Sequence, residues 1–153
     1  MKKKLFLLPF LLITWILNSG FLFKPNIKVV TCGDEDYIAN ITVEDEKEIL
    51  GDSPWIFDSK SGQIDAYDQN KNTLKPVKKE IFNGAELTYI NNYVRGKNLY
   101  VDWLERDLTT NKEIEVKAIL DFKNMKVTFF EYGQSSENVC KEITLPKNIR
   151  ILK

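Results

Sequence analysis

The side chains that could do chemistry in this chain are carboxylates, aromatic rings and two thiols, because its 153 residues include no histidine. Without an imidazole there can be no Ser–His–Asp triad, no Cys–His dyad and no His-ligated metal. The commonest general base is missing as well. Since the sequence also lacks a nucleophile motif, a phosphate loop and any metal-ligand spacing, we predict that the protein is not an enzyme and carries no cofactor.

The two thiols, Cys32 and Cys140, are far apart in the sequence. No C-x-x-C spacing accompanies them, so neither a redox motif nor a thiolate metal site is indicated. In an exported protein such a pair predicts a structural disulfide, with two unpaired thiols as the alternative. Closing so long a loop is worth about 4–5 kcal/mol in the chain-entropy model.

Acidic residues are dense between Asp34 and Glu48. Carboxylate oxygens of this kind bind calcium outside cells. Charged turns that face water explain the same pattern, and we favour them over a calcium site. Further along, Asp102 and Glu105 are three positions apart on a predicted strand. Their side chains are therefore expected on opposite faces, which argues against a catalytic carboxylate pair.

Four aromatic residues come from neighbouring arms of predicted hairpins: Tyr89, Tyr93, Tyr100 and Trp103. Amphipathic rings of this type are common at binding surfaces, because they bury a large apolar area and keep a polar tip. We predict that these four residues form a binding surface. Phe129 and Phe130 are adjacent, so on a strand they must point to opposite faces.

The first 23 residues are expected to direct export and not to join the fold. Lysines at positions 2–4 precede the apolar run Leu5–Leu17, whose 13 residues match a signal-peptide core. Read through to Phe23, the segment has 19 residues, enough for an uncleaved membrane anchor. Either interpretation places residues 24–153 in the periplasm or outside the cell. Membrane contact is then expected only through residues 5–23, if the leader is retained.

The charge balance gives a further exclusion. Basic and acidic residues number 22 each in the whole chain. The leader contains three lysines and no acid, so residues 24–153 carry a net charge of −3. A nucleic-acid surface normally shows a clear basic excess. We therefore predict no nucleic-acid partner.

Short β-prone runs separated by turn residues recur through residues 24–153, and no helical stripe is long enough for a βαβ unit. The clearest signal is Asn83-Gly84 between two β-prone runs, which predicts a type I′ hairpin. Alternating side chains over residues 37–43 predict another strand. Residues 44–50 are predicted to return as a hairpin, with a short helix capped by Thr42 as the alternative.

These patterns predict a single all-β domain, residues 24–153, built as an antiparallel meander of roughly eight strands. Closing or partly closing the meander into a barrel would remove its exposed edges, and a two-layer sandwich is the alternative. The outline resembles lipocalin-like and periplasmic lysozyme-inhibitor barrels in architecture, without the Gly-x-Trp of lipocalins, so no family is assigned. The predicted function is an exported binding module with a small apolar ligand inside the barrel. The alternative is an envelope protein-interaction or inhibitor-type module on a membrane anchor.

Overall fold

The computed structural model describes residues 26–50 and 54–152. The predicted leader, residues 1–23, lies outside the described residues. Of the described residues, 57% are in strands and 9% in helices, which confirms a mainly β fold. No helix within the described ranges is long and apolar enough to cross a membrane.

Eleven strands and two short helices follow one another along the chain. The strands are β1 Ile27–Gly33, β2 Trp55–Asp58, β3 Ile64–Asp68, β4 Thr73–Pro76, β5 Lys79–Phe82, β6 Ala85–Arg95, β7 Asn98–Asp107, β8 Glu113–Asp121, β9 Lys126–Glu131, β10 Gln134–Glu142 and β11 Arg150–Ile151. Between β1 and β2 lie α1, Glu35–Asn40, and α2, Asp45–Ile49.

All eleven strands belong to one sheet, in the order β11-β4-β3-β2-β1-β10-β9-β8-β7-β6-β5. The neighbours pair antiparallel, except that β11 runs parallel to β4. The sheet therefore consists of two meanders, β1–β4 and β5–β10, joined where β1 pairs with β10. The antiparallel meander is confirmed, with more strands than predicted. The chain forms one continuous sheet whose hydrogen-bonded ladder is not closed.

The two meanders also meet through a link of two residues, because only Val77 and Lys78 separate β4 from β5. The Val77 amide donates to the Ile64 carbonyl of β3 at 3.0 Å. The Lys78 carbonyl accepts from the Tyr89 amide of β6 at 2.9 Å. This short segment thus hydrogen bonds to both meanders and draws the two ends of the sheet toward each other.

The disulfide between Cys32 and Cys140 is present, as the sequence predicted. The two residues are direct partners in the β1–β10 register, with their Cα atoms 4.1 Å apart. The bond therefore reinforces the ladder that joins the two meanders. A disulfide of this kind indicates an oxidising environment, which agrees with an exported protein.

The inner core lies on the concave side of the curled sheet. It is formed by Val30, Phe57, Ile64, Leu99, Val101, Trp103, Val116, Ala118, Leu120, Phe122, Val127 and Cys140. These side chains come from strands of both meanders, and strand alternation points them to the same face. Their contact requires the sheet to curl, because β2–β3 and β7–β8 are far apart in the strand order.

An outer core covers the opposite face of β1–β4. It contains Val29, Leu50, Ile56, Leu74 and Ile143, with further apolar residues packed around them. Val29 and Ile56 directly precede Val30 and Phe57 of the inner core, so β1 and β2 are buried on both faces. The C-terminal residues 143–152 supply much of the cover. Their last strand, β11, is an edge strand beside β4.

The strand predicted over residues 37–43 is wrong, because this segment starts in helix α1. The Asp34 side chain accepts a hydrogen bond from the Tyr37 amide at 2.7 Å and caps the helix. Two acids follow in the first turn, where the helix dipole favours them. The alternating apolar residues do not mark a buried face, since Val43 is 78% exposed.

The hairpin favoured for residues 44–50 is also wrong, and the alternative of a short helix is correct. Thr42 and Asp45 hydrogen bond reciprocally ahead of α2, as in a capping box. The polar segments 68–76 and 133–138 also contribute to the sheet, since the first ends in strand β4 and the second begins strand β10. Backbone pairing with neighbouring strands outweighed their polar composition there.

Two glycines allow the close approach of the β2–β3 turn to be tested. Gly62 has φ +80°, and a Cβ placed on it would lie 2.6 Å from the Cα of Tyr93. Gly84 has φ +79° with no atom within 4 Å of such a Cβ. Gly84→Ala should therefore cost only the left-handed backbone penalty, about 1–2 kcal/mol. Gly62→Ala should cost about 1–3 kcal/mol more, because the backbone of β6 must move. Urea unfolding measures both, and equal losses would contradict this packing.

Removing the disulfide should destabilise the protein without changing its fold. We expect the double variant Cys32→Ala, Cys140→Ala to lose about 4–5 kcal/mol of unfolding free energy in the chain-entropy model. Urea titration of the oxidised wild type against the variant measures the loss. Reduced wild type is the matched control and should unfold with the variant. A loss below about 1 kcal/mol would show that β1–β10 pairing needs no covalent support.

Candidate functional site

A cleft of about 570 Å³ opens at one end of the inner core. Three of its lining rings pack together: Trp55, Trp103 and Phe129. Their centroids are 6.0 to 6.4 Å apart, with tilted or edge-to-face orientations. Such pairs are favourable beyond the apolar area that they bury. The cleft therefore has a rigid aromatic wall continuous with the core.

Strand alternation places these rings on the concave face. Trp103 follows the buried Leu99 and Val101 at every second position of β7. Phe129 lies directly opposite Ala118 in the β8–β9 register. A methyl group at Ala118 leaves room above it for the phenylalanine ring. Ala85 on β6 is similarly small and also lines the cleft. Small residues beside large rings leave space that side chains do not fill.

The predicted binding residues divide between two faces. Tyr89 lies opposite Trp103, and both line the cleft. Tyr93 lies opposite Tyr100, and their rings stack at 4.9 Å with an interplanar angle of 5°. Tyr100 alternates with the fully buried Leu99 and Val101, so this stacked pair is on the convex face. The structure brings the four together as two pairs and not as one surface.

A β-bulge accounts for the position of Tyr93, whereas Tyr100 and Trp103 are three positions apart on β7 and point to opposite faces by strand alternation alone. The register between β6 and β7 shifts between Tyr89 and Asn91, so Ile90 is an extra residue on β6. Without the bulge, Tyr89 and Tyr93 would share a face because they are four positions apart. The extra residue reverses the alternation beyond it and increases the local twist. Nothing in the composition around Ile90 indicates where a bulge will form.

Tyr89 is fixed in the cleft by Glu80. Its hydroxyl donates to a carboxylate oxygen of Glu80 on the neighbouring strand. Burial raises the pKa of Tyr89 far above its ordinary value, and the Glu80 carboxylate raises it further. The phenol therefore stays protonated and acts as a donor. Glu80 belongs to the site, and the sequence analysis missed it.

Glu80 could have been found from the hairpin turn. The two-residue turn Asn83-Gly84 has φ values of 48° and 79°, as a type I′ turn requires. Such a turn sets the register, so Glu80 must lie opposite Leu87. Leu87 in turn lies opposite Glu105 on β7. Glu105 also lines the cleft, and it points away from the face of Asp102, as the spacing predicted.

Asp65 borders the cleft from β3 and is only 3% exposed. Gln63 donates to Oδ1 at 2.9 Å, whereas Oδ2 has no hydrogen-bond partner among the described residues. Burial raises the pKa of Asp65, the bond from Gln63 lowers it, and the charge of Asp58 raises it. Asp65 lies opposite Ile56, a residue of the outer core, so it belongs to the wall between that core and the cleft.

Trp103 carries a second unpartnered polar atom. The residue is 7% exposed, and its indole Nε1 has no acceptor within the described part of the chain. A buried donor without an acceptor costs about 1–3 kcal/mol. Atoms of this kind ordinarily find a water or a ligand as partner.

The acidic segment 34–48 does not gather its carboxylates into a metal site. Asp34 and Asp45 serve as helix caps. Across residues 26–50 and 54–152, no group of three or more Cys, Asp or Glu side chains is placed to hold a metal ion.

Comparison with known proteins adds no relative. The chain matches no protein-family model, no curated protein and no solved structure.

The raised pKa of Asp65 predicts a pH-dependent cost. The folded protein holds this proton more tightly than the unfolded chain does. Stability from this group is therefore fully present below the unfolded-state pKa of about 3.9 and is lost as pH rises toward the folded-state pKa. We expect Asp65→Asn to raise the unfolding free energy at pH 7, and the gain should shrink below about pH 4.

Asp107→Asn is the control of opposite sign. Amides of Thr109 and Thr110 lower the pKa of Asp107, so this variant should lose stability at pH 7. Urea unfolding at several pH values compares the two. A loss of stability for Asp65→Asn at pH 7 would show that the ionised Asp65 carboxylate is satisfied in the folded state.

Proposed function

We propose that this protein is an exported, non-catalytic binding module that holds a small, mainly apolar ligand in the aromatic cleft. The observation that carries the proposal is the cleft itself. At about 570 Å³ it falls within the range of roughly 300–1,000 Å³ that is typical of small-molecule sites. A curled sheet with unfilled space beside its inner core suits a ligand better than a filled interior would.

The lining supports a largely apolar ligand. Trp55, Trp103 and Phe129 offer ring faces and edges, and Leu87 and Ala85 extend the apolar wall. Polar residues complete the lining, among them Thr31, Asn83, Glu80 and Glu105, and such groups fix the orientation of a bound molecule. The unpartnered Nε1 of Trp103 supports a bound molecule with a hydrogen-bond acceptor.

Export is supported by two features. The lysines and apolar run at the N-terminus have the pattern of a leader, and the Cys32–Cys140 bond suits an oxidising compartment. We propose the periplasm or the cell exterior as the location, with residues 5–23 as an anchor if they are retained.

A protein partner at the cell envelope is the second candidate. The convex face favours it, because Tyr93 is 43% exposed and stacks on Tyr100, and Ile90 beside them is 56% exposed. Exposed aromatic pairs of this type serve as anchors in protein interfaces. An inhibitor-type or accessory role would use this face and leave the cleft empty.

Filling the cleft separates the two candidates. Ala85→Leu adds volume to the wall of the cleft, whereas Tyr93→Ala alters only the convex face. The neutral dye N-phenyl-1-naphthylamine should bind the wild type with increased fluorescence. We expect Ala85→Leu to weaken its binding by at least about tenfold, or 1.4 kcal/mol, and Tyr93→Ala to leave it unchanged.

Urea unfolding confirms that both variants remain folded before dye binding is compared. Native mass spectrometry of protein purified from its own cells provides the second measurement. A co-purifying small molecule that is lost in Ala85→Leu supports the cleft. Dye binding that survives Ala85→Leu, or a co-purifying polypeptide that is lost in Tyr93→Ala, would contradict the cleft as the binding site and would favour the convex face.

A further inference from the structure

The charged groups around the cleft all have one sign. Its described lining includes two acids on the face of the aromatic rings, Glu80 and Glu105, and no lysine or arginine, while Asp65 borders it from the face of the outer core. Residues 24–153 contain 19 basic and 22 acidic residues, so a lining with acids and no basic side chain differs from the composition of the domain. A site for a neutral apolar molecule would not need any of these carboxylates.

Two of the acids face the cleft from either side of Leu87. Glu80 is the partner of Leu87 on β5, and Glu105 is its partner on β7. Direct partners in an antiparallel pair share a face, and neighbouring strands are about 4.8 Å apart. The two carboxylates therefore stand on the concave face of β5 and β7, with the apolar side chain of Leu87 between them.

Glu80 and Glu105 differ from Glu86, which lies next to Leu87 on β6 and points to the convex face. Glu86 is paired by Lys79 at 2.9 Å and lies 3.6 Å from Arg106. Within the described ranges, neither Glu80 nor Glu105 forms a salt bridge. Glu80 accepts only the hydroxyl of Tyr89. On the convex face the Glu86 carboxylate is thus paired with cations. On the concave face Glu80 and Glu105 have no cation among the described residues.

Aromatic rings line the cleft beside these two carboxylates. Trp55, Trp103, Phe129 and Tyr89 line the same cleft. Aromatic faces attract cations through their quadrupole, and tryptophan does so most strongly. A calcium or magnesium ion would need about six oxygen ligands at close range, which this apolar wall does not offer. Rings together with carboxylates are suited to an organic cation.

We infer that the ligand of this cleft is an organic cation, an ammonium group carried on an apolar body. The inference rests on the proposed binding function and adds the charge of the ligand. The apolar body packs on the aromatic wall, and the ammonium group lies toward Glu80 and Glu105. The two carboxylates, which have no basic partner among residues 26–50 and 54–152, thus obtain one from the ligand.

Matched probes test the charge directly on the full mature protein. Choline and its neutral isostere 3,3-dimethylbutan-1-ol differ in little but the positive nitrogen. Titration calorimetry, supported by tryptophan fluorescence from Trp55 and Trp103, compares their affinities. We expect choline to bind at least tenfold more tightly than the alcohol, with the preference falling as salt is added.

Glu105→Gln and Glu86→Gln form the matched pair of variants, because they remove one carboxylate each from opposite faces. Glu105→Gln should lower choline affinity by about tenfold and leave the alcohol unaffected, whereas Glu86→Gln should change neither. Equal or stronger binding of the alcohol would overturn the cationic ligand but leave the binding function intact. Failure of both probes while N-phenyl-1-naphthylamine still binds would also overturn it. Loss of dye binding as well would overturn the binding function itself.

Discussion

The pairing of β1 with β10 is the constraint on which the rest of the molecule depends. The chain forms two meanders, and each alone would leave one apolar face open to water. The β1–β10 ladder joins them on one side, and the Val77–Lys78 link draws them together on the other. Because both joints exist, Phe57 and Ile64 meet Leu99 and Val101 in one inner core. The disulfide lies within this ladder and so reinforces the joint that encloses the core.

The side chains around the cleft leave a volume of about 570 Å³ unfilled. The small residue Ala85 lines the unfilled volume, which lies next to the inner core. Two buried polar atoms at its border, Asp65 Oδ2 and Trp103 Nε1, have no partner in the described structure. Both features cost stability. Departures from good packing that coincide at one location are typical of functional sites.

Local chemistry made part of this fold predictable. Asn83-Gly84 identified a hairpin, and the register that such a turn sets would also have placed Glu80 opposite Leu87. The two cysteines, taken together with the predicted leader, predicted the disulfide. The α1 segment was mispredicted because one side-chain cap, from Asp34, outweighed an alternating pattern that buries little. Alternation is informative only when one face is actually covered.

The candidate site was harder to predict than the fold, because an odd spacing and a bulge both divided the four aromatic residues. Tyr100 and Trp103 are three positions apart on β7 and so point to opposite faces, and the extra residue Ile90 turned Tyr93 away from Tyr89. The position of a bulge depends on how the sheet bends and twists, which a short stretch of sequence does not determine. The acids beside the cleft could likewise be recognised as neighbours only from the register of β5, β6 and β7.

The C-terminal segment has a consequence for the order in which the molecule is completed. Residues 143–152 cover β1–β4, and the last strand lies beside β4 near its start. Contacts between such distant parts of a chain form late, because the long loop must close first. While the protein is being synthesised, the hairpins of β5–β10 have their partners close at hand. The β1–β10 ladder must wait for β10, and the outer core must wait for residues 143–152. The two meanders therefore join only after most of the domain has been synthesised.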